Sequence, residues 1–409
     1  MLNKNNEREL AYVVIVDAVT PIEGYDRVEL AHVGGWTIVV GKNEFHAGDP
    51  AIYFEIDSKL PEVEPFINME FLAKKHYKIK TQKMCRVLSQ GLLMSAANFG
   101  WQIIEGDNCA IVDNEGNYHR VDDESRFLTK QLGITYAVAE DNKRKASNNP
   151  NAKINSALAR HPKIAKKYGK FIKNHKFVKW LFLLICDDRR DKKSDWPAWV
   201  KKTNEERIQN VPWILNDKEP WVATEKIDGT STTFTMKRGK WPHKDEFYVC
   251  SRNVVFNKPD KTCFYDTNVY IEMAEKYDIY NKMKDLLYNH FADCEWITIQ
   301  GETYGPGIQK RDYHAPEHDF MAFNFITSKD GRWGTEKMVD LLQKHIGIPC
   351  VPVLNTNFIL PDTVEELLAY ATAESVCDHD LREGIVFRSK DGSKSFKAVS
   401  NEYLLKYHQ

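Results

Sequence analysis

The stretch Thr224–Thr230, which reads Thr-Glu-Lys-Ile-Asp-Gly-Thr, contains a lysine in a setting that suits a nucleophile. Lys226 follows a β-prone segment over 220–224 and precedes an Asp-Gly turn, so we expect it at a strand end. A lysine attacks phosphorus only as the neutral amine, and neighbouring cations or burial lower its pKa enough for that. Three fixed positions are a weak signal by themselves, and a solvated lysine beside a turn stays open as the alternative.

Five further stretches follow this lysine in order and add the other groups that nucleotide chemistry needs. They supply an arginine, two carboxylates at strand ends, an aromatic strand and lysines near the C-terminus. Such groups can stack on a purine base, hold a ribose hydroxyl and, with a metal ion, neutralise phosphates. His314 and His318, near the glycine-rich turn, are interpreted as loop histidines rather than metal ligands. The five stretches are Ser251–Asn253, Gln300–Gln309, Phe320–Phe325, Arg382–Arg388 and Lys394–Asn401.

The ordered set resembles the six motifs of the covalent nucleotidyltransferases, the ligases and capping enzymes that work through a lysyl-nucleotide. Glu-Lys-x-Asp-Gly, Ser-Arg-Asn, Gly-Glu-x-x-Gly-Pro-Gly-Ile-Gln and Glu-Gly-x-Val-Phe are most similar to RNA ligases of the phage RNA ligase 2 style. The branch with an N-terminal OB domain is closer still, since it also resembles Arg86–Leu93 and Lys202–Asn210. The resemblance covers most of residues 10–122 and 196–407.

The resemblance implies a role for each nucleoside-binding residue. Lys226 would attack the α-phosphate of ATP and keep AMP, and the backbone of Glu225 would read the adenine amino group. Arg252 would contact the ribose or the RNA terminus, and Glu302 would hold the ribose. Phe323 would stack on adenine, with Phe320 and Phe325 as the alternative rings.

The resemblance also implies the residues that handle phosphate and metal. Asp228 and Glu383 would anchor hydrated Mg²⁺ or Mn²⁺, Lys397 would hold the α-phosphate, and Arg207 would contact phosphate. Two positions depart from the family pattern. The last motif often reads Lys-x-Lys, but this chain has Ser395-Phe396-Lys397, which leaves Lys394 as a candidate substitute. The residue after the stacking aromatic is usually Asp, and here it is Asn324.

The elements around these residues fall into three regions. Short β-branched runs with glycine turns predict a small barrel, with strands over 12–16, 27–33, 36–40 and 51–55. Residues 141–180 carry twelve Lys/Arg and one acid, a charge of +11 in a chain whose net charge is -1. Loosely spaced apolar residues there favour basic helices, and a polyanion-binding footprint and a solvated linker both stay open.

From about residue 200 onward, strands and helices mix. Helices are predicted over 268–289 and 363–373, and strands over 297–301, 320–326 and 384–388. With the resemblance, the fold class is α+β: an OB-like β-barrel over 1–122, a basic, largely helical insert over 123–200, and a nucleotidyltransferase domain over 201–409 with antiparallel sheets and flanking helices.

Composition limits the class of protein. Hydrophobic content of 42% and aromatic content of 12% exclude wholesale disorder. The eight cysteines form no C-x-x-C pair, which favours reduced thiols over a zinc site. No signal peptide precedes residue 10, and the longest apolar run, 180–186, is far shorter than a bilayer span. We therefore expect a cytoplasmic protein, most simply a monomer, of cellular or viral origin.

The preferred function is an ATP-dependent RNA ligase that joins 3'-hydroxyl and 5'-phosphate RNA ends in RNA repair, using Mg²⁺ or Mn²⁺. A DNA ligase or capping enzyme normally carries an OB domain after the nucleotidyltransferase domain, and only residues 398–409 follow the last motif here. A non-catalytic protein that binds RNA ends is the remaining alternative, and the presence of Lys226 disfavours it.

Overall fold

The computed structural model describes residues 1–104, 109–137, 196–239, 244–256 and 268–407, with positions 168, 171, 172, 175 and 178 besides. The basic segment 141–180 lies outside the described residues apart from those five positions, and so does the prediction of helices there. No described helix is long and apolar enough to cross a membrane.

The chain divides into two compact units. The first unit comprises residues 1–138, 204–227 and 351–409, and the second comprises residues 139–203 and 228–350. The predicted domain boundaries after residues 122 and 200 stay predictions.

The elements of the described residues, in chain order, have the following bounds. The strands are β1 Ala11–Ile15, β2 Ala18–Ile22, β3 Tyr25–Val33, β4 Trp36–Gly41, β5 Pro50–Phe54, β6 Ser58–Lys59, β7 Gln82–Met84, β8 Val87–Ser89, β9 Leu92–Met94, β10 Gln102–Ile104, β11 Ala110–Val112, β12 Tyr118–Arg120, β13 Thr135–Tyr136, β14 Trp221–Glu225, β15 Thr230–Lys237, β16 Glu246–Cys250, β17 Val255–Phe256, β18 Trp296–Tyr304, β19 Asp319–Thr327, β20 Gly331–Arg332, β21 Val353–Phe358, β22 Gly384–Ser389 and β23 Ser395–Val399. The α-helices are α1 Glu70–Ala73, α2 Val269–Lys276, α3 Ile279–Asp285, α4 Thr335–Val339, α5 Val364–Ala371 and α6 Asn401–Tyr407. Short 3₁₀ turns lie at Phe66–Asn68, Ala96–Phe99, Glu124–Arg126, Ile208–Asn210 and Pro212–Asn216, and π turns lie at Leu286–His290 and Asp340–His345.

The β-rich start of the first unit forms small antiparallel sheets, ordered β1-β5-β9 and β2-β3-β4. All four predicted strands are present, within two residues of the expected bounds. Strand β4 alternates buried and half-buried residues, as a strand with one face on a core should. Trp36 and Tyr53, 1% and 0% exposed, stack in that core with ring centroids 6.4 Å apart.

The rest of the first unit is built on a four-stranded antiparallel sheet ordered β21-β14-β22-β23. Its core includes Trp221, Phe387 and Phe396, all fully buried. The β-rich start packs on this part through Gly35, whose carbonyl accepts a hydrogen bond from Gln209 Nε2 at 3.3 Å. Gly35 has φ +80, and a Cβ there would lie 2.4 Å from Val364, so the contact needs glycine.

The second unit is built on a six-stranded antiparallel sheet ordered β17-β16-β15-β18-β19-β20. Its core includes Phe234, Phe320 and Phe325. The predicted helix over 268–289 is interrupted, because Asp278 adopts a left-handed conformation with φ 48 between α2 and α3. Aspartate tolerates that conformation better than most residues, so the interruption has a local cause. The strands predicted over 297–301, 320–326 and 384–388 are all present.

Candidate active site

Lys226 lies directly after β14 and forms an ion pair with Glu383. Its Nζ donates a hydrogen bond to Glu383 Oε2 at 2.7 Å, and the two side chains are 24% and 9% exposed. The pairing of β14 with β22 brings them together, since Glu383 immediately precedes β22 and Lys226 N–H donates to Gly384 O at 3.0 Å. The predicted nucleophile therefore stands at a strand end, paired with one of the predicted carboxylates.

Lys397 adds a second, more buried cation to this pair. It lies on β23, opposite Val386 of β22. Burial, together with the charges of Lys226 and Arg207, lowers the pKa of the Lys397 ammonium to about 8. A lysine whose pKa falls this far has lost hydration that no protein carboxylate fully replaces. An anion next to it would restore the balance.

Arg207 completes a cluster of three cations around one carboxylate. Its backbone pairs with Lys397 in a parallel bridge, and its guanidinium lies 5.6 Å from the ring centroid of Trp36. Burial lowers the pKa of Arg207, and the nearby charge of Glu383 opposes that shift. Arg207 Nη1 is buried and has no hydrogen-bond partner among the described residues. A buried donor that lacks a partner is costly, so this nitrogen suits an oxygen ligand such as phosphate.

The segment that precedes the nucleophile is held along the edge strand β23. Glu206 O accepts a hydrogen bond from Lys397 N at 2.8 Å. The carboxylate of Glu205 pairs with Arg388 at 3.4 Å and also accepts from Ser395. Three consecutive residues, Glu205, Glu206 and Arg207, therefore hold this segment against β22 and β23 and help to fix the position of Lys397.

Lys394 is not brought to this cluster. Lys394 lies just before β23, whereas Lys397 lies within that strand. The Lys394 ammonium instead pairs with Asp217 at 2.6 Å, and its side chain is 58% exposed. The first lysine position of the usual Lys-x-Lys motif is occupied by Ser395, whose hydroxyl serves Glu205. The suggestion that Lys394 substitutes for the missing lysine therefore finds no support in the structure.

The side chain of Glu225 has a structural contact that the sequence did not indicate. Its carboxylate is 1% exposed and accepts hydrogen bonds from Ser375 Oγ at 2.5 Å and from Val376 N at 2.9 Å. Glu225 N–H donates to Pro352 O at 2.9 Å. The residue before the nucleophile thus ties β14 to the loop that leads to Glu383. No sequence signal identifies Ser375, because a single serine in a loop has no pattern.

In the second unit, the Asp228-Gly229 turn is fixed by the loop that follows β18. Asp228 N–H donates to the hydroxyl of Tyr313 at 2.7 Å, and Gln309 Nε2 donates to Gly229 O at 2.9 Å. A Cβ on Gly229 would lie 2.3 Å from Thr303 O and 3.0 Å from Glu302 Cγ. Glycine is required here because β18 passes so close. Tyr313 was missed by sequence analysis, since it lies in an irregular loop with no periodicity.

Glu302 and Phe323 lie on neighbouring strands of the second unit. Glu302, half-buried on β18, pairs with Ser231 on one side and Met321 on the other. The register shifts between Gln300 and Gly301, so that Phe323 is the extra residue of a β-bulge on β19. Bulges redirect side chains and occur beside active sites. The bulge sets Phe323 apart from the regular alternation of β19.

Side-chain burial along β19 distinguishes the three candidate stacking rings. Phe320 and Phe325 are both 0% exposed and belong to the hydrophobic core of the second unit. Phe323 is half-buried and lies outside that core. Of the three aromatic side chains, only Phe323 is accessible to a ligand, which favours it as the stacking residue.

The hydrogen bonds of Asn324 explain why an amide suits this position, where the family usually has Asp. Its Nδ2 donates to Gln300 Oε1 at 3.0 Å, and Gln300 Nε2 donates in turn to Lys201 O at 2.9 Å. Both side chains are almost fully buried. A carboxylate at 324 has no proton to donate to Gln300 at neutral pH, so the amide fits this chain of hydrogen bonds.

Arg252 lies in the exposed loop between β16 and β17. Its neighbour Asn253 accepts a hydrogen bond from Lys202 Nζ at 2.9 Å. His318 contacts Glu272 at 2.9 Å through Nδ1 and Pro306 O at 2.9 Å through Nε2. Both ring nitrogens of His318 therefore already face oxygen acceptors, in keeping with its interpretation as a loop histidine.

The predicted metal-binding carboxylates suit Mg²⁺ better than zinc. Within the described ranges, no group of three or more His, Cys, Asp or Glu side chains forms a metal cage. Mg²⁺ keeps several waters and takes one or two carboxylates plus substrate phosphates. Glu383, 7% exposed beside three cations, and Asp228, 5% exposed in the second unit, are carboxylates of this kind. Each of these carboxylates, taken by itself, is a ligand of the kind that a hydrated Mg²⁺ or Mn²⁺ takes.

Comparison with known proteins agrees with this chemistry. Residues 219–408 match the RNA ligase family model, and residues 10–96 match an OB-fold domain, which confirms the OB-like start. No curated protein matches the chain.

Solved structures of an RNA ligase from Naegleria gruberi are similar to nearly the whole chain. One mutant with AMP and Mn is 25% identical, with a TM-score of 0.62 over 98% of this chain and 99% of that one. Another mutant with ATP and Mn is 25% identical, with a TM-score of 0.62 over 98% and 100%. The form with pyrophosphate is 25% identical, with a TM-score of 0.60 over 98% and 99%. The predicted α+β fold with antiparallel sheets is thereby confirmed.

Proposed function

We propose that this chain, which carries an OB-fold domain over residues 10–96 and an RNA ligase domain over residues 219–408, is an ATP-dependent RNA ligase that works through a lysyl-AMP at Lys226. One observation carries the assignment of the nucleophile. Lys226 is hydrogen-bonded to Glu383 beside two half-buried cations, Lys397 and Arg207, and Arg207 Nη1 has no hydrogen-bond partner among the described residues. The two cations favour loss of the Lys226 proton against the opposing charge of Glu383, and Arg207 Nη1 offers a donor to a phosphate oxygen.

In the first step, neutral Lys226 Nζ attacks the α-phosphorus of ATP. A phosphorus–nitrogen bond forms, and the bond from the α-phosphorus to the bridging oxygen of pyrophosphate breaks. Glu383 Oε2, 2.7 Å from Nζ, accepts the proton that Nζ loses as the phosphorus–nitrogen bond forms. Lys397 and Arg207 stabilise the negative charge that develops on the phosphate oxygens.

The nucleoside part of ATP is assigned to the groups of the RNA ligase motifs. Phe323 stacks on adenine, the backbone of Glu225 reads its amino group, and Glu302 binds the ribose. Asp228 and Glu383 hold Mg²⁺ or Mn²⁺ through water. The metal ion, when bound, neutralises phosphate charge and favours the unprotonated amine.

The second and third steps transfer AMP to RNA and release it. A 5'-phosphate oxygen of the RNA attacks the phosphorus of lysyl-AMP, and Lys226 leaves as the amine. A 3'-hydroxyl then attacks the RNA 5'-phosphorus, and AMP leaves with the bridging oxygen. Arg252, exposed on its loop, is proposed to contact the RNA terminus. We further propose that the enzyme acts in the cytoplasm as a monomer.

The direct test is labelling of the protein by α-labelled ATP with Mg²⁺ or Mn²⁺, followed by denaturing electrophoresis. The protein is first treated with pyrophosphate to remove any AMP already attached. Wild type should become labelled, and Lys226→Ala should not. Lys218→Ala is the matched control, since Lys218 is a half-exposed lysine paired with Asp362 and should leave the label intact.

The same experiment separates the alternatives. Label transferred from GTP instead of ATP would identify a capping-type enzyme. Absence of label from both nucleotides, in folded and AMP-free wild type, would leave an RNA-binding protein without ligase chemistry. Sealing of a nicked RNA but not of a nicked DNA, each with 3'-hydroxyl and 5'-phosphate ends, distinguishes an RNA ligase from a DNA ligase.

A further inference from the structure

Charge is divided unevenly within the first 104 residues. Residues 1–70 contain thirteen Asp/Glu and five Lys/Arg, whereas residues 71–104 contain six Lys/Arg and no acid. The six cations are Lys74, Lys75, Lys78, Lys80, Lys83 and Arg86. They lie within thirteen consecutive residues, so the β-rich domain has a locally basic segment that follows the acidic stretch 1–70.

This basic segment ends in a tight hairpin formed by β7 and β8. Met84 pairs with Val87, which leaves Cys85 and Arg86 as a two-residue turn. Both turn residues have positive φ, 52 and 67, as the commonest hairpin turns of this length require. Lys83 and Arg86 are exposed at the tip, and Lys80 is exposed just before β7.

The hairpin is anchored to the β-rich core rather than free to move as a loop. Leu88 is 4% exposed, and its carbonyl accepts a hydrogen bond from Thr37 Oγ1 at 3.0 Å. Ser89 Oγ accepts a hydrogen bond from Val39 N at 3.1 Å. The strand that follows Arg86 is therefore fixed on β4, so the charges at the tip are held in a defined place.

Three of the six cations are available to a ligand. Lys74 pairs with Glu70 at 3.1 Å, and Lys75 donates to Gln82. The structure records no ion pair or hydrogen bond from the side chains of Lys80, Lys83 and Arg86 to any described residue. Exposed cations without acid neighbours are the usual footprint of a polyanion.

We propose that Lys80, Lys83 and Arg86, hereafter the basic hairpin, bind the phosphate backbone of the RNA substrate. The inference rests on the proposed RNA ligase function and adds the surface by which the OB-fold domain grips RNA. It also gives a function to Arg86–Leu93, a stretch that the catalytic chemistry does not use. Arg86 is the exposed cation at the tip of the hairpin, and Leu88 and Ser89 hold the hairpin on β4.

Charge favours this surface over the outer strands β2 and β3 of the same domain. Residues 17–49, which include these strands, carry six acids and two cations. That balance repels a nucleic acid backbone, whereas each cation that contacts phosphate releases condensed counterions. Loops between strands, together with one face of the barrel, are the parts of an OB fold that contact oligonucleotides.

The test is RNA binding by the full chain as a function of salt. Lys80→Ala/Lys83→Ala/Arg86→Ala is compared with wild type by fluorescence anisotropy, using nicked duplex RNA at 50 to 400 mM NaCl. Three lost phosphate contacts should reduce the slope of log affinity against log salt by about 2 to 3. The Kd at 100 mM salt should rise roughly tenfold or more, because this term supplies most non-specific affinity.

Two controls keep the result interpretable. Arg27→Ala/Lys42→Ala removes two exposed cations from the acidic part of the domain and should leave the salt slope unchanged. Lys80→Arg/Lys83→Arg/Arg86→Lys keeps every charge and should retain the wild-type slope. Lysyl-AMP formation and thermal melting of the alanine variant should match wild type, because none of the three residues belongs to the catalytic cluster.

The inference and the proposed function fail in different ways. A wild-type salt slope and Kd in the triple alanine variant would overturn the inference, whatever the enzyme does with ATP. Equal weakening in the charge-conserving variant would also overturn it, since loss would then follow from altered packing. Failure of wild type to form lysyl-AMP would overturn the ligase function, and the salt experiment would still report RNA binding.

Discussion

The two units contribute site residues of contrasting physical character. In the first unit, Arg207, Lys226 and Lys397 lie around Glu383. Burial lowers the pKa values of Arg207 and Lys397, and the charges of Lys226 and Arg207 add to the shift of Lys397. In the second unit, Glu302 and Phe323 are positioned by strand register, a bulge and neutral hydrogen bonds. Burying the cations of the first group costs electrostatic free energy, which a bound phosphate would offset. The second group is positioned by ordinary sheet geometry. Changes in the first group should therefore trade activity against stability, and changes in the second should separate the two.

Lys397→Met is expected to change lysyl-AMP formation the most, and it tests the electrostatic cost of the cations around Glu383. Lysyl-AMP formation should fall roughly 10²- to 10³-fold, as when one preorganised charge-stabilising donor is removed. Stability at pH 7 should rise by up to about 3 kcal/mol, since a lysine pKa of about 8 instead of 10.5 measures the cost of the buried charge. Single-turnover labelling and urea unfolding measure the two quantities.

The stability gained by Lys397→Met should depend on pH in a direction set by the lowered pKa of Lys397. Because the folded pKa of Lys397 is lowered, the cost is fully present below pH 8 and disappears as the pH rises towards the unfolded value. The advantage of Lys397→Met should therefore shrink between pH 8 and pH 10.5. Lys394→Met is the matched control and should change neither quantity, since Lys394 is exposed and paired with Asp217. Equal loss of labelling in both variants would contradict the assignment of Lys397.

Phe323→Ala and Phe325→Ala test the other side, because the two rings are two residues apart on one strand. Phe325→Ala should lower the free energy of unfolding by about 3 to 5 kcal/mol, the cost of emptying a packed core site. Phe323→Ala should leave unfolding nearly unchanged and raise the KM for ATP about tenfold or more, since base stacking on an aromatic contributes roughly 1 to 3 kcal/mol.

Urea unfolding and labelling rates at varied ATP concentration separate these two outcomes. The reverse pattern, with Phe323→Ala unfolding easily and binding ATP normally, would make Phe323 a structural residue.

Motif order is the basis on which the sequence predicts Lys226 and Glu383, and the structure pairs their side chains, while their catalytic roles stay predictions. Features that depend on three-dimensional packing have no such signal in the sequence. Strand bounds were predictable from β-branched runs, whereas the break at Asp278 depends on one residue in a left-handed conformation. Lys394 stays a prediction as a substitute for the missing lysine, and the structure pairs its ammonium with Asp217. Tyr313 had no signal at all, since loop packing alone brings its hydroxyl to Asp228.

Asn324→Asp has the smallest expected effect and sharpens the claim that neutral hydrogen bonds position the second group. The new carboxylate would face Gln300 Oε1, which now accepts from Asn324 Nδ2, and Gln300 cannot reverse its amide without losing Lys201 O. Stability at pH 7 should fall by about 1 to 3 kcal/mol, the penalty for a buried polar group left without its partner. Part of this loss should return as the pH falls to 5, because the protonated carboxyl regains a donor.

Urea unfolding at the two pH values measures the effect of Asn324→Asp. Asn355→Asp is the matched control: Asn355 is exposed and its side-chain oxygen only accepts, from Asn357 N–H, so stability should stay within about 0.5 kcal/mol of wild type. The KM for ATP should change only if the substitution shifts Phe323 from its position in the bulge. A variant as stable as wild type at both pH values would mean that the chain from Asn324 to Lys201 does not hold the bulge, and that the family's usual Asp would serve equally well here.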